Sequence, residues 1–134
     1  MKLPTLASTF MVIGPDFSCT QAPVTPTLYE ELDAKFSGFK SCLLVAEYSF
    51  SEDWPTWEIH PNGDEFLYLL SGECLIHLLT GGGEEIIQFS EIGSVLKVPK
   101  GTWHTAKVKG SCRILFITPG EGTENAAKPR FQNS

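Results

Sequence analysis

Four side chains that can offer an oxygen or a nitrogen to a cation, Glu58, His60, Glu65 and His104, stand at spacings that let one site collect them. The first three fall in an E-x-H-x4-E-x6-G stretch running from Glu58 to Gly72. The fourth closes a G-x5-P-x-G-x2-H stretch from Gly93 to His104. Side chains two apart on a strand share a face, so Glu58 and His60 project together while Trp57 and Ile59 project to the other side. Pro61-Asn62-Gly63-Asp64 is a turn sequence that reverses the chain and returns Glu65 beside them. Pro99 and Gly101, one fixing a dihedral and the other allowing a tight bend, are suited to aiming His104. Two carboxylates converging inside a protein repel and drift toward protonation, at about 1.4 kcal/mol per pKa unit. A divalent ion removes that conflict. Mixed imidazole and carboxylate donors suit Fe, Mn, Ni or Zn without choosing among them. A thiolate-rich structural zinc site is excluded, because neither stretch contains a cysteine.

Elements that could carry these donors follow from the rest of the chain. Residues 1–37 read as an N-terminal arm and short helix packed on the main body, with an arm or edge strand near Phe10 to Ile13. Thr27 and Glu30 form a capping box, Leu28, Leu32 and Phe36 give an apolar helical face, and Gly38 ends the helix. From 38 to 119 the pattern is strand and turn. Phe66 to Leu70 and Cys74 to Leu79 flank Ser71-Gly72-Glu73 as a hairpin, and Gly81-Gly82-Gly83 marks another. Short strands at such intervals predict a sandwich or barrel. The polar stretch 120–134 is expected to be a poorly ordered tail.

Composition limits the function classes. A chain of 134 residues with 42% hydrophobic residues can bury one core, and its net charge of −6 disfavours nucleic acid or acidic membrane surfaces as partners. Its longest early apolar run, Phe10 to Ile13, is too short for a signal sequence or membrane span, so a cytoplasmic protein is expected. Cys19, Cys42, Cys74 and Cys112 stand apart from one another and read as free structural thiols.

The two donor stretches together resemble the two halves of the cupin motif. A closer likeness is carried by the stretches from Asp53 to Glu65, from Pro99 to Thr105 and from Phe116 to Thr123. It is to small single-domain bacterial cupins of unassigned function. The resemblance implies an all-β double-stranded β-helix, the cupin jelly-roll barrel, with the short N-terminal helix beside it. The first half of the motif usually supplies His-x-His and then Glu, and the second half supplies His. Carried over position by position, the metal ligands are Glu58 in place of the first His, then His60, Glu65 and His104. Val108 also stands where the second half usually ends in Asn. With Glu58 bound, a divalent ion held by two carboxylates and two imidazoles is formally neutral, and such a site draws anionic substrates less. Alternatively Glu58 serves as a hydrogen-bond partner behind a face of two histidines and one carboxylate.

Taken alone, each of these residues reads as a solvated turn or edge residue; four at this spacing reverse that reading. Trp54 is read either as core or as the closure of a cavity. Trp57, Tyr68 and Trp103 are expected to face outward and to bury aromatic surface in a homodimer. His77 is expected on the outer sheet face in a structural role. The function that follows is a metalloenzyme for a small molecule, with dioxygenase-like or isomerase- or hydrolase-like chemistry. The alternative is a cupin that binds or senses a small ligand without turnover. Acid is expected to release the ion near or below about pH 6.5, the ordinary imidazole value.

Overall fold

The computed structural model describes residues 1–129, and positions 130–134 of the expected tail lie outside them. The chain forms β1 (Thr9–Ile13), β2 (Cys19–Pro23), α1 (Leu28–Lys35), β3 (Leu43–Phe50), β4 (Trp57–Ile59), β5 (Glu65–Gly72), β6 (Cys74–Thr80), β7 (Gly83–Phe89), β8 (Val95–Val98), β9 (His104–Lys107), β10 (Cys112–Thr118) and β11 (Glu124–Ala126). Two antiparallel sheets face each other, one ordered β2-β1-β3-β10-β5-β8 and the other β11-β4-β9-β6-β7. The architecture is an all-β jelly roll with one short helix. No helix among the described residues is long and apolar enough to cross a membrane.

Alternation along the strands divides inside from outside. In β5, Glu65, Leu67 and Leu69 are buried while Phe66 and Tyr68 are exposed. Leu67, Leu69, Ile76, Leu78, Val98, Ala106, Ile114 and Phe116 meet in one cluster that fills one end of the interior. The buried Cys74 and Cys112 join it as small hydrophobes, and all four cysteines are free. A second cluster lies beneath the helix, where Leu28 and Leu32 pack on Phe10, Val12, Leu44 and Ala46.

Several local expectations are revised. Residues 66–79 do not form a hairpin, because β5 and β6 belong to different sheets. Gly72 is the corner between them. Its φ is 74°, and a Cβ there would stand 2.0 Å from the Ser111 carbonyl oxygen, so only glycine lets the chain leave one sheet for the other. The strand near Phe10 is not an edge, because β2 pairs along its full length and takes that place. Thr27 makes no side-chain cap. Its hydroxyl and that of Thr25 both donate to the Glu31 carboxylate, so the expected Thr27–Glu30 capping box is not formed. The helix stops at Lys35, and the Gly38 N–H donates to the Asp33 carbonyl at 2.7 Å, closing its end as expected. Nor is the stretch after Gly120 simply a tail, since Glu124–Ala126 pairs with β4 in register Glu124↔Ile59 to Ala126↔Trp57.

That last pairing also explains Trp57. It lies on the outer face of its sheet, as parity requires, yet is only 7% exposed. The chain beyond β11 lays the Lys128 ammonium 5.7 Å from the Trp57 ring centre and 2.8 Å from Glu84. His77 shares this covered face, with its Nδ1 2.6 Å from Glu84 Oε1. Trp57 is therefore no exposed dimer contact, Trp103 is half-buried, and Tyr68 remains exposed.

Candidate metal centre

Strand pairing brings the two sequence stretches together. Glu58 on β4 lies opposite His104 on β9, and β9 in turn pairs with β6 through His104↔Leu78. The turns that precede Glu65 and His104 are tied to each other. Asp64 Oδ1 accepts the Lys100 N–H at 2.7 Å, and the Gly101 N–H donates to the His60 carbonyl at 3.0 Å. Asp64 thus serves the turns, as expected of it.

All four expected donors converge. Glu58, His60 and His104 can each direct one ligand atom so that these lie within 4.8 Å of one another. Glu65 reaches both imidazoles, with Oε2 3.3 Å from His60 Nε2 and Oε1 3.1 Å from His104 Nε2. Glu58 Oε2 stands 3.8 Å from His60 Nε2. His60, Glu65 and His104 are buried at 5%, 3% and 1% exposure, whereas Glu58 opens partly to the cavity.

Hydrogen bonds behind the imidazoles fix which nitrogen faces the centre. His104 Nδ1 lies 3.1 Å from the Thr102 carbonyl oxygen, which can only accept, so Nδ1 carries the proton. His60 Nδ1 lies 2.8 Å from Thr123 Oγ1, whose own proton goes to the Gly120 carbonyl at 2.9 Å, so this Nδ1 donates as well. In the neutral rings both Nε2 lone pairs then point toward Glu65. His60 Nε2, Glu65 Oε1 and His104 Nε2 are buried without a hydrogen-bond partner among the described residues. Acceptors facing acceptors require a proton or a cation between them, and the arrangement fits a metal ion.

The electrostatics agree. Burial alone would raise Glu65, but the imidazoles of His104 and His60 overcome it and hold the carboxyl at about 2. Burial lowers His104, but Glu65 outweighs it and the net direction is upward. Glu58 is raised, chiefly by burial. Glu65 is further fixed by the Thr118 hydroxyl, which donates to Oε2 at 2.5 Å.

No family model and no curated protein matches the sequence. Solved structures do. The DEL162-163 mutant of Bacillus subtilis oxalate decarboxylase OxdC superposes on 63% of this chain with a TM-score of 0.53 at 18% identity, covering 24% of that protein. Recombinant oxalate oxidase in complex with glycolate superposes on 61% with a TM-score of 0.52 at 18% identity, covering 45%. The fold is a cupin fold. The chain spans less than half the length of either protein, and at that identity the likeness concerns the fold alone.

Within this fold Glu58, His60 and Glu65 line a cavity of about 870 Å³ between the sheets, opening beside α1. Trp54 lines it and packs edge-on against His104 at 6.2 Å between ring centres. Both readings of Trp54 are observed, since it lines the cavity and packs against the apolar cluster. The residues missed by the sequence reading are those that orient the donors: Thr102, Thr118 and Thr123. Thr123 lay inside one of the stretches that carry the family likeness, but nothing in its spacing tied it to His60.

Proposed function

We propose that this cupin binds a divalent transition metal through Glu58, His60, Glu65 and His104 and acts on a small organic molecule in the cavity. The observation that carries this reading is the set of buried, unpartnered atoms, His60 Nε2, Glu65 Oε1 and His104 Nε2, beside a cavity that His60 and Glu65 line. A bound ion of this class supplies Lewis acidity and open coordination positions for substrate, water or dioxygen. The chain's own part is orientation. Thr123 and Thr102 hold the imidazole tautomers, Thr118 holds Glu65, and Trp54 with Phe116 keeps one wall apolar. Dioxygenase-like and isomerase- or hydrolase-like reactions both suit such a centre. Glu58, half-open to the cavity, either completes the ligand set or accepts a proton from a ligand.

A homodimer is part of the same proposal. The outer face of the six-stranded sheet exposes Phe66, Tyr68 and Val95, with the partly buried Leu115 and Ile117 beside them, and can bury apolar surface against a second copy.

The test is metal analysis of protein purified without chelators or affinity metals. About one equivalent per chain is expected by the single-site reading. His60→Ala and His104→Ala should each lose the metal while retaining the fold by circular dichroism. Full metal content in both variants overturns the proposal.

A further inference from the structure

The cavity's polar chemistry is one-sided. Among the described residues no lysine or arginine lines it, while Glu58 and Glu65 on its inner wall and Glu30 and Asp33 of α1 at its mouth are all acidic. Its neutral groups add few free donors. The Thr118 hydroxyl proton goes to Glu65, that of Thr123 to the Gly120 carbonyl, and that of Thr56 to Asn125 Oδ1. The Tyr29 and Tyr48 hydroxyls meet each other at the mouth, so one of the two protons is engaged there. What remains to a ligand is one phenolic O–H, the Ser49 hydroxyl, the Trp54 indole N–H and the Asn125 amide. A carboxylate or phosphonate would enter with no basic side chain as counter-charge. The neutral charge of a divalent centre holding both Glu58 and Glu65 adds no attraction.

An aromatic wall begins beside His104. Phe50, Trp54, Phe116 and Tyr48 form a continuous run of rings, with centres 5.7 Å apart for Phe50 and Trp54, 6.0 Å for Trp54 and Phe116 and 5.8 Å for Phe116 and Tyr48. Such rings hold an apolar or aromatic body, and an ammonium brings three donors of its own to an acceptor-rich site. We propose that the cavity selects a small organic amine in its protonated form, its apolar or aromatic body lying along the Phe50–Trp54–Phe116 wall and its ammonium facing the carboxylates. The inference deepens the proposed function and rests on it for the cavity as the place where a small organic molecule binds.

The experiment is calorimetric titration at neutral pH and low ionic strength with three probes of matched size: 2-phenylethylamine, 2-phenylethanol and phenylacetate. Metal-loaded and chelator-stripped wild type are compared, with metal content measured on the same samples. The amine is expected to bind at least about tenfold tighter than either other probe, a difference typical of one charge-assisted contact. Trp54→Ala, or Trp54→Phe should the alanine variant misfold, and the double change Glu30→Lys with Asp33→Lys should each reduce that preference. Phenylacetate or 2-phenylethanol binding as tightly as the amine, or no amine binding at millimolar concentration, overturns the inference. An amine preference in protein that takes up no metal sinks the metal reading and leaves this one standing; a carboxylate preference in metal-loaded protein does the reverse.

Discussion

Glu65→Gln is the sharpest perturbation of the centre, because it removes one charge and almost no volume from a side chain that is 3% exposed and touches both imidazoles. In metal-free protein the carboxyl is held at about 2 against an ordinary 4.5, and at about 1.4 kcal/mol per unit this amounts to roughly 3 kcal/mol of stability. A depressed carboxylate contributes fully above its unfolded value and loses the contribution as pH falls from 4.5 to about 2. His104 is raised above 6.5, so its share is complete below 6.5 and fades as pH rises through the folded value. The pairing is therefore strongest between pH 4.5 and 6.5. Urea unfolding of chelator-stripped wild type and Glu65→Gln at about pH 5.5 should differ by roughly 3 kcal/mol, or about 10 °C in melting temperature. Toward pH 8.5 the gap should shrink as the His104 charge is lost, since its uncharged ring turns a lone pair on the carboxylate. Metal should restore the gap there, because a carboxamide is a poorer ligand than a carboxylate. Equal stability of the two metal-free proteins at pH 5.5, or a gap that widens toward pH 8.5 without metal, would refute the reasoning.

Other outcomes follow from the same geometry. Protons compete with the metal for His104 more effectively than for an ordinary imidazole, so acidification should release the ion; a chelator-free titration followed by metal analysis reads the onset, and metal retained throughout acidification counts against the site. Thr123→Val removes the acceptor for His60 Nδ1 and should weaken metal binding about 10- to 100-fold with the fold intact, measured by competition with a chromophoric chelator; unchanged affinity would mean that this bond does not orient the ring. Gly72→Ala places a Cβ 2.0 Å from a backbone oxygen at a φ of 74°, and a loss of about 3 kcal/mol or more is expected in denaturant melts. Light scattering should give about twice the 14.8 kDa chain mass, falling to one chain in Phe66→Lys with Tyr68→Lys; a monomeric wild type at micromolar concentration counts against the dimer.

How far the sequence could be read depended on whether a feature was local. The grouping of Glu58, His60 and Glu65 was legible because strand parity and a turn sequence fix where each side chain points, while His104 joined them through the resemblance to the cupin motif. A sandwich or barrel was legible from short strands punctuated by glycine and proline, and the jelly roll from the likeness to the cupin motif. The corner at Gly72 was not, since a Ser-Gly-Glu triplet between strands looks the same whether the next strand pairs beside the last or crosses to the facing sheet. Ser111, which decides it, lies far along the chain. Trp57 was placed on the correct face, but its burial depends on Lys128 and on β11, whose three residues carry no strand pattern of their own. The orienting threonines were silent for a similar reason: a hydroxyl becomes informative only once its partner is known.

The strand that was expected to be a tail sets an order of events during synthesis. Thr123 follows the last donor, His104, by 19 positions, so a growing chain carries all four donors before it carries the hydroxyl that holds the His60 tautomer. Residues up to β10 already pair both sheets and fill the apolar end of the interior, while β11 adds itself only to β4 at the sheet edge. Maturation of the centre is thereby separated from formation of the body that houses it. A nascent chain halted before Gly120 should fold and yet hold metal poorly, and full affinity should arrive with the last strand.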